Sequence, residues 1–219
     1  MRRGTSVKIV VTASLAAILM GGCVIHTDAF KAKFSRSQDL TAPLTDITAL
    51  DVSTNVGKIQ LEAADVAEVR IAAEIKVKAR TEERAQELAE QVRIVAEPTG
   101  QTLTIKAVKP AGLRDSDLSV DFTITAPGDL ALTCTTDVGD IRTKGFTKRV
   151  KASADVGAIE FAGPQEISAR VTATTSVGNI TTDRPITVSG SFKRSLRGSL
   201  GKGEGQIDLS TNVGAIRIR

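Results

Sequence analysis

The chain has 219 residues, a formal net charge of +4, no Trp, no Tyr and one His. Three basic residues lie within residues 1–22, so a chain without that segment carries 26 basic and 25 acidic side chains and gives no argument for nucleic-acid binding. The lone His26 excludes His-based catalytic triads and His-ligated metal sites in the rest of the chain. Without Trp or Tyr, the usual aromatic platforms for stacking on sugars are missing.

The N-terminus has the pattern of an export signal. "MRRGTSVKIVVTASLAAILMGGC" begins with basic residues, continues with an apolar stretch over residues 9–20, and ends in small residues before Cys23. This stretch is too short for a bilayer-spanning helix and predicts a secretory signal over residues 1–22. Simple secretion and an uncleaved anchor are the alternatives to the reading that follows.

"LMGGC" resembles the lipobox of bacterial lipoproteins. The resemblance implies that Cys23 carries a lipid, including palmitate, becomes the new N-terminus and attaches the protein to a membrane. We therefore expect a cell-envelope location. In a diderm bacterium, Val24 after the lipidated Cys favours the outer membrane, because Asp at that position commonly signals retention in the inner membrane.

Residues 23–47 are mixed and polar, with no sustained hydrophobic period, and are predicted to be a lipidated tether. Residues 48–126 are predicted to form strands with one helix. Apolar and charged residues alternate from Val69 to Arg80, which is typical of a half-buried strand. In the next segment, "TEERAQELAEQV" (residues 81–92), Thr81 can cap a helix, two Glu follow, and one face is apolar, so we predict a helix there.

The stretch "KASADVGAIEF" changes the phase of its hydrophobic alternation. Apolar residues fall on even numbers from Val150 to Val156 and on odd numbers at Ile159 and Phe161. Because successive side chains of a strand point to opposite faces, a bend must absorb this change if both halves face one core. Glycine takes such bends without a Cβ penalty. The same pattern occurs at five glycines, which we predict to be structural corners: Gly57, Gly139, Gly157, Gly178 and Gly214.

Residues 127–219 are built from units of about 20 residues, which is a solenoid-like period. One unit cannot bury its apolar face alone, but stacked units form a continuous core. The sequence therefore predicts a mainly β fold: a parallel-rung β-solenoid of helix or roll type, with one α-helix in the N-terminal subregion. We expect the terminal "AIRIR" to form the edge of the last rung, with Arg217 and Arg219 pointing outward and protecting it.

The segment "VDFTITAPGDLALTCTTDVGDIRTKGFTKRVKASADVGAIEF", with the helix before it, resembles a bacterial putative-adhesin domain family of unknown function. The resemblance covers roughly residues 45–219 and rests on recurrent "T-x-x-G-x-I" units. It implies strands and a helix followed by a β-solenoid, usually behind a signal or anchor. Adhesion is implied by the family's label and by nothing in the composition.

The residue two positions before each corner glycine is polar, so these side chains should form one column along the stacked units. Such residues commonly bond their own backbone in turns, which is the simplest explanation. A calcium site of Asp137, Asp140 and Asp155 is the alternative, but the repeat pattern of calcium-binding rolls is missing. We expect no metal and no cofactor. The column comprises Asn55, Asp137, Asp155, Ser176 and Asn212.

The segment "SGSFKRSLRGSLGKGEGQI" departs from the apolar pattern. If Gly198 took the corner position, Arg197 would replace an inward Val and Lys193 an inward Ala. Burying unpaired charge is prohibitive, so this segment should be exposed. Its alternatives are a solvated cap loop and a binding surface for an anionic partner. The residues predicted for that surface are Lys193, Arg194, Arg197 and Lys202.

The sequence offers little for catalysis, because no carboxylate pair is evident and Cys134 lies at an inward position, where a thiol is inert. The favoured function is a non-enzymatic, lipid-anchored envelope protein that uses its β-solenoid as a binding surface for an envelope polymer or a cell-surface partner. A structural or envelope-stress accessory protein is one alternative. A polysaccharide-active β-solenoid enzyme is another.

Overall fold

The computed structural model describes residues 32–188 and 194–219. Within these ranges the chain forms one α-helix, α1 (Glu82–Gln91), a short 3-10 helix (Asp115–Asp117) and strands in two sheets. The strands are β1 (Ala32–Pro43), β2 (Ala49–Val56), β3 (Ile59–Ala63), β4 (Glu68–Ala79), β5 (Arg93–Thr99), β6 (Thr102–Val108), β7 (Leu118–Ala126), β8 (Ala131–Val138), β9 (Ile141–Lys144), β10 (Arg149–Val156), β11 (Ile159–Ala162), β12 (Ala169–Val177), β13 (Ile180–Thr182), β14 (Thr187–Val188), β15 (Ser195–Leu200), β16 (Gly205–Val213) and β17 (Ile216–Ile218).

The strands form two sheets around one hydrophobic core. Sheet I has the order β1-β4-β7-β3-β9-β11-β17-β13, and sheet II has the order β14-β15-β12-β16-β10-β8-β2-β6-β5. The mainly β fold with one helix is confirmed. Both sheets are mixed and neither closes on itself, so the predicted parallel-rung solenoid is not confirmed.

Five repeats each place one strand in sheet II and the next in sheet I, with a Val-Gly corner between them. In chain order, repeats 1 to 5 are β2–β3, β8–β9, β10–β11, β12–β13 and β16–β17. Their strands pair in parallel within each sheet, and the corner valines are in register along the array. Repetition in sequence therefore becomes columns of equivalent side chains about 4.8 Å apart.

The order of the repeats in space differs from their order in the chain. β16 pairs with both β10 and β12, and β17 lies between β11 and β13, so repeat 5 is inserted between repeats 3 and 4. The prediction that "AIRIR" is an edge strand is therefore wrong, although Ile216 and Ile218 are buried and Arg217 and Arg219 exposed, as expected. The apolar pattern specifies which face of a repeat is buried, but not which repeat lies beside it.

The corner glycines stack closely on one another. Their φ angles lie between +141° and +157°, and a Cβ on Gly157 would lie 1.9 Å from the carbonyl oxygen of Gly139. In four of the five corners, the glycine amide donates to the corner valine carbonyl of the next repeat in space, as Gly157 does to Val213 at 2.9 Å. Only a residue without a side chain fits this backbone stack.

A threonine three residues before the glycine supports most corners. The hydroxyl of Thr211 donates to the carbonyl of Gly157 at 3.0 Å, and that of Thr175 donates to the carbonyl of Gly214 at 2.9 Å. These bonds satisfy carbonyl groups that point between repeats. The corner valine was expected to point inward, but Val156 is 46% exposed. The inward run ends at Ala154, because the chain turns the corner immediately afterwards.

The N-terminal part caps the array beside repeat 1. The amide of Lys58 donates to the side chain of Asp121 in β7, and the β7 carbonyl of Val120 lies where another corner glycine would otherwise stack. The helix predicted over residues 81–92 is confirmed, with Thr81 accepting a hydrogen bond from the amide of Arg84 at 3.2 Å. Leu88 and other apolar helix residues pack into the core.

Residues 32–43 form β1, although they belong to the predicted tether of residues 23–47. The residues at the central inward positions of β1 are polar, so the sequence lacks the alternation of apolar and polar residues that would predict a strand. Arg36, for example, points under α1 and donates to the carbonyl of Ala89 at 2.8 Å and to that of Val92. Burial lowers the pKa of Arg36, against the opposing effect of Glu90. Helix packing thus accounts for a polar strand that periodicity alone misses.

Candidate functional site

The outer face of sheet II gathers cations from three strands, β10, β12 and β15, with β16 lying between β10 and β12. Arg149 and Lys151 lie on β10, Arg170 on β12 and Arg197 on β15, and all four are exposed. We call these four residues the basic face. No ion pair joins any of them to a carboxylate in the described part of the chain, and Asp208 of β16 is the acidic residue between them.

One row of the basic face has a distinct layout. Gln206 of β16 is in register with Arg149 on one side and with Arg170 on the other. The Arg149 guanidinium donates to Gln206 Oε1 at 3.3 Å, and Gln206 Nε2 donates to Asp208 Oδ2 at 2.6 Å. Two guanidinium groups about two strand spacings apart therefore flank a neutral amide. Such planar groups suit carboxylate and phosphate oxygens.

The predicted basic segment adjoins this face. It is not a rung of the array: Ser195–Leu200 pairs antiparallel with β12, and Gly198 lies opposite Val171 and not at a corner. Leu196 and Leu200 supply the inward side chains, so Arg197 points outward. Arg194 and Lys202 are exposed as well, whereas Lys193 lies outside the described residues, as do Cys23 and His26.

Two shallow clefts of about 540 Å³ each lie where the strands of the basic face begin. The first is lined by three cations, Lys148, Arg149 and Arg170, and by two carboxylates, Glu166 and Glu204. The second extends past Lys202 to Arg184, whose guanidinium is occupied by the carbonyls of the turn at residues 163–165. Arg149 and Arg170 thus belong to both the flat face and the first cleft. Sequence reasoning missed them because the neighbourhood depends on the insertion of repeat 5.

The polar column at the corners forms hydrogen bonds between repeats. Within the column, Asn212 Nδ2 donates to Asp155 Oδ1 at 3.1 Å. Outside the column, on the other side of the corner glycine, Asp140 Oδ1 accepts from the amide of Ala158 at 3.0 Å. In the described ranges, no group of three or more His, Cys, Asp or Glu side chains is placed to hold a metal ion. Beside this column, the corner valines make an apolar strip, with Val138, Val156, Val177 and Val213 between 45% and 58% exposed.

Cys134 is fully buried on β8, and burial raises the pKa of its thiol far above the usual range, with a smaller effect of Asp51. A thiol in this setting is neutral and poorly nucleophilic. Among residues 32–188 and 194–219, no helix is both long and apolar enough to cross a bilayer.

No protein-family model matches the sequence, and no curated protein resembles it in sequence. Among solved structures, a putative cell adhesion protein from Clostridium sporogenes is 12% identical, covers 84% of this chain and 99% of its own, and has a TM-score of 0.51. Two further structures have TM-scores of 0.25, too low to indicate a shared fold. They are a putative adhesin from Bacteroides fragilis (12% identity, 86% of this chain and 97% of its own covered) and a putative lipid binding protein from Parabacteroides distasonis (10% identity, 88% and 98% covered). The chain therefore has the fold of a bacterial structure described as a putative cell adhesion protein, and at this identity the likeness concerns the fold alone.

Proposed function

We propose that this protein is a non-enzymatic, lipid-anchored component of a bacterial cell envelope, and that its basic face binds an anionic envelope polymer. The repeats act as an interrupted solenoid, a rigid support that holds the cations of the face in fixed positions. Arg194 and Lys202 extend the face toward its edge.

The observation that carries this proposal is the row Arg149–Gln206–Arg170, with Lys151 and Arg197 in the next row. These cations are exposed and lack carboxylate partners in the described part of the chain. Leaving charges of one sign together costs stability through repulsion, which a bound anion would relieve. Because exposed charges are screened beyond about 8–10 Å at physiological ionic strength, such binding is expected to be weak and salt-sensitive.

The anchoring part of the proposal rests on Cys23 and the signal before it. We expect Cys23→Ser to abolish palmitate labelling in the bacterial host and to release the protein from membranes. If the host is diderm, fractionation should place the wild-type protein in the outer membrane. Labelling that persists in the variant would overturn the lipid anchor.

The binding part can be tested with a chain of residues 24–219. This chain keeps the hydrophobic core, whose residues run from Leu40 to Ile218. Its retention on immobilised teichoic acid and lipopolysaccharide would be measured at low and high salt. The basic-face variant changes Arg149, Lys151, Arg170 and Arg197 to Gln. The control variant loses the same charge from the outer face of sheet I, by changing Arg70, Arg142, Lys144 and Arg217 to Gln.

We expect the wild type and the control to be retained at low salt and the basic-face variant to elute with the unbound protein. Equal retention of both variants would overturn the assignment of the binding face. A deletion phenotype without any polymer binding would favour the structural or envelope-stress accessory role. Release of shortened products from the polymer would favour the enzyme alternative.

A further inference from the structure

Two lysines oppose each other at the corner of sheet I where the described chain begins. Lys33 is the second residue of β1, and its register partner in β4 is Lys78. Both are exposed on the outer face of sheet I, opposite the face that α1 covers. Like charges directly opposite each other in an antiparallel pair are destabilising, so this arrangement needs a compensating partner.

No carboxylate in the described part of the chain forms an ion pair with either lysine. Asp117 immediately precedes Leu118, the register partner of Val77, so it lies beside Lys78, and it already has an interaction of its own. Glu74 and Asp121, further along the same face, both bind Lys76, at 2.9 Å and 2.8 Å. Arg80, one residue beyond the end of β4, is also exposed and has no such ion pair. The helix α1 begins at Glu82, two residues after Arg80, and packs its apolar residues into the core on the inner side of the sheet. We call Lys33, Lys78 and Arg80 the basic corner.

The basic corner lies close to the proposed anchor along the chain. Cys23 precedes Ala32, the first residue of β1, by nine residues. Nine residues reach at most about 32 Å when fully extended. A lipid on Cys23 would therefore hold this corner near the bilayer surface.

We propose that the basic corner contacts anionic phospholipid headgroups and orients the anchored protein on its membrane. This inference rests on the proposed lipid anchor. A lipid chain combined with a basic patch binds a membrane more firmly than either signal alone, because anionic headgroups attract Lys and Arg within a Debye length. The headgroups would supply anionic partners for Lys33 and Lys78, which form no ion pair within the described part of the chain.

The orientation has a consequence for the basic face. The buried faces of the two sheets pack on a common core, so their outer faces point in opposite directions. With the basic corner on the bilayer, the outer face of sheet I turns toward the membrane. The basic face of sheet II then points away from the membrane, where an envelope polymer can reach it.

The first test uses the lipid-free chain of residues 24–219, so that its result does not depend on lipidation. Co-sedimentation would be measured with vesicles of phosphatidylglycerol and phosphatidylcholine, and with phosphatidylcholine alone. The variant carries Lys33→Gln, Lys78→Gln and Arg80→Gln. The control carries Arg70→Gln, Arg142→Gln and Arg217→Gln, which removes the same charge from the same face. Thermal unfolding of each variant checks that it is folded.

We expect the wild type and the control to bind anionic vesicles at low salt, and the basic-corner variant to partition at least tenfold more weakly. The basic-face variant should still sediment with the vesicles. Equal partitioning of wild type and basic-corner variant would overturn the inference. If free phosphate released the protein more effectively than chloride at equal ionic strength, the corner would be a phosphate site and not a membrane contact.

The second test uses the lipidated full-length protein in vesicles and a membrane-impermeant amine reagent. Lys33 and Lys78 should be protected from modification in anionic vesicles and modified at high salt, while Lys151, on the outer face of sheet II, is modified in both. Protection of Lys151 in place of Lys33 would mean the opposite orientation and would overturn the inference. Loss of palmitate labelling in Cys23→Ser tests the anchor separately, so either proposal can fail without the other.

Discussion

The outer faces of the two sheets contain equivalent rows of two arginines with one central residue, which is a carboxylate in sheet I and a neutral amide in sheet II. In sheet I, Glu160 is in register between Arg142 and Arg217. In sheet II, Gln206 occupies the same kind of position between Arg149 and Arg170. Glu160 lies 3.9 Å from Arg142 and 3.1 Å from Arg219, so the row in sheet I contains a carboxylate that offsets part of its positive charge. The row in sheet II keeps its positive charge.

The rest of each face follows the same division. On sheet I, Lys144 pairs with Glu62 at 2.6 Å, and hydrogen bonds to Asp121 and then Glu74 raise the pKa of Lys76. On sheet II, Lys151 and Arg197 have no carboxylate partner in the described ranges. Exposed ion pairs add little stability, so pairing decides chiefly what a face can attract. Cations without an ion pair in the described ranges also occur on sheet I, at Arg70 and Arg217 and at the basic corner, which lies where the chain enters from the proposed anchor.

Both outer faces depend on the corners, because each repeat contributes one strand to each sheet through a single Val-Gly turn. We expect Gly157→Ala to lower the free energy of unfolding by at least about 3 kcal/mol, since its Cβ would overlap the Gly139 carbonyl oxygen and φ is +154°. Urea denaturation measures this loss. Gly112→Ala is the control: φ is +83° there and no atom lies within 4 Å, so strain of about 1 kcal/mol is expected. Similar losses in the two variants would contradict the stacked corner.

Gln206 and Glu160 are the central residues of the two rows, and exchanging their side-chain types tests whether the row layout determines which face binds the polymer. Gln206→Glu should weaken binding of the anionic polymer by roughly tenfold at low salt, equivalent to about 1.4 kcal/mol, because a carboxylate would then neutralise Arg149 and Arg170. Glu160→Gln should strengthen binding to the outer face of sheet I. Retention on the polymer column measures both changes. If neither single exchange alters retention, the row layout does not determine binding.

Buried threonines on the inner sides of the two sheets differ in their hydrogen bonding, and replacing them is expected to change stability least. The Thr136 hydroxyl in sheet II donates to the Gly57 carbonyl at 3.3 Å, whereas the buried Thr143 hydroxyl in sheet I has no hydrogen-bond partner. We expect Thr136→Val to lower the free energy of unfolding by about 1 kcal/mol and Thr143→Val to leave it unchanged or raise it by up to about 1 kcal/mol. Chemical denaturation compares the two variants, and equal losses would argue against the hydrogen-bond assignment.

Much of the local structure could be predicted because it depends on local patterns. Thr81 and the apolar face of residues 82–91 specify α1, and alternation specifies β4. The strand β1 could not be found this way, because Arg36 faces inward and is accommodated by carbonyls at the end of α1. A polar residue on an inward position breaks the period, and its partner lies more than fifty residues away.

The candidate site could be predicted only in part, for a similar reason. Arg197 stands out in sequence because it interrupts an apolar repeat, and Lys202 lies in the same basic segment. Arg149 and Arg170 do not stand out, since each is an ordinary outward residue of an alternating strand. They flank Gln206 only because repeat 5 inserts between repeats 3 and 4.

The sequence by itself determined the repeated corner, since alternation must change phase at a residue without a Cβ, and it determined the helix and the buried side of most strands. Only the tertiary structure decided which repeats are neighbours, because parallel strands with the same apolar pattern can pair in more than one order. The order 1-2-3-5-4 buries the terminal strand β17 and assembles the basic face from strands that are distant in the chain. The charge of each outer face is therefore a property of the packing, although every side chain in it is visible in the sequence.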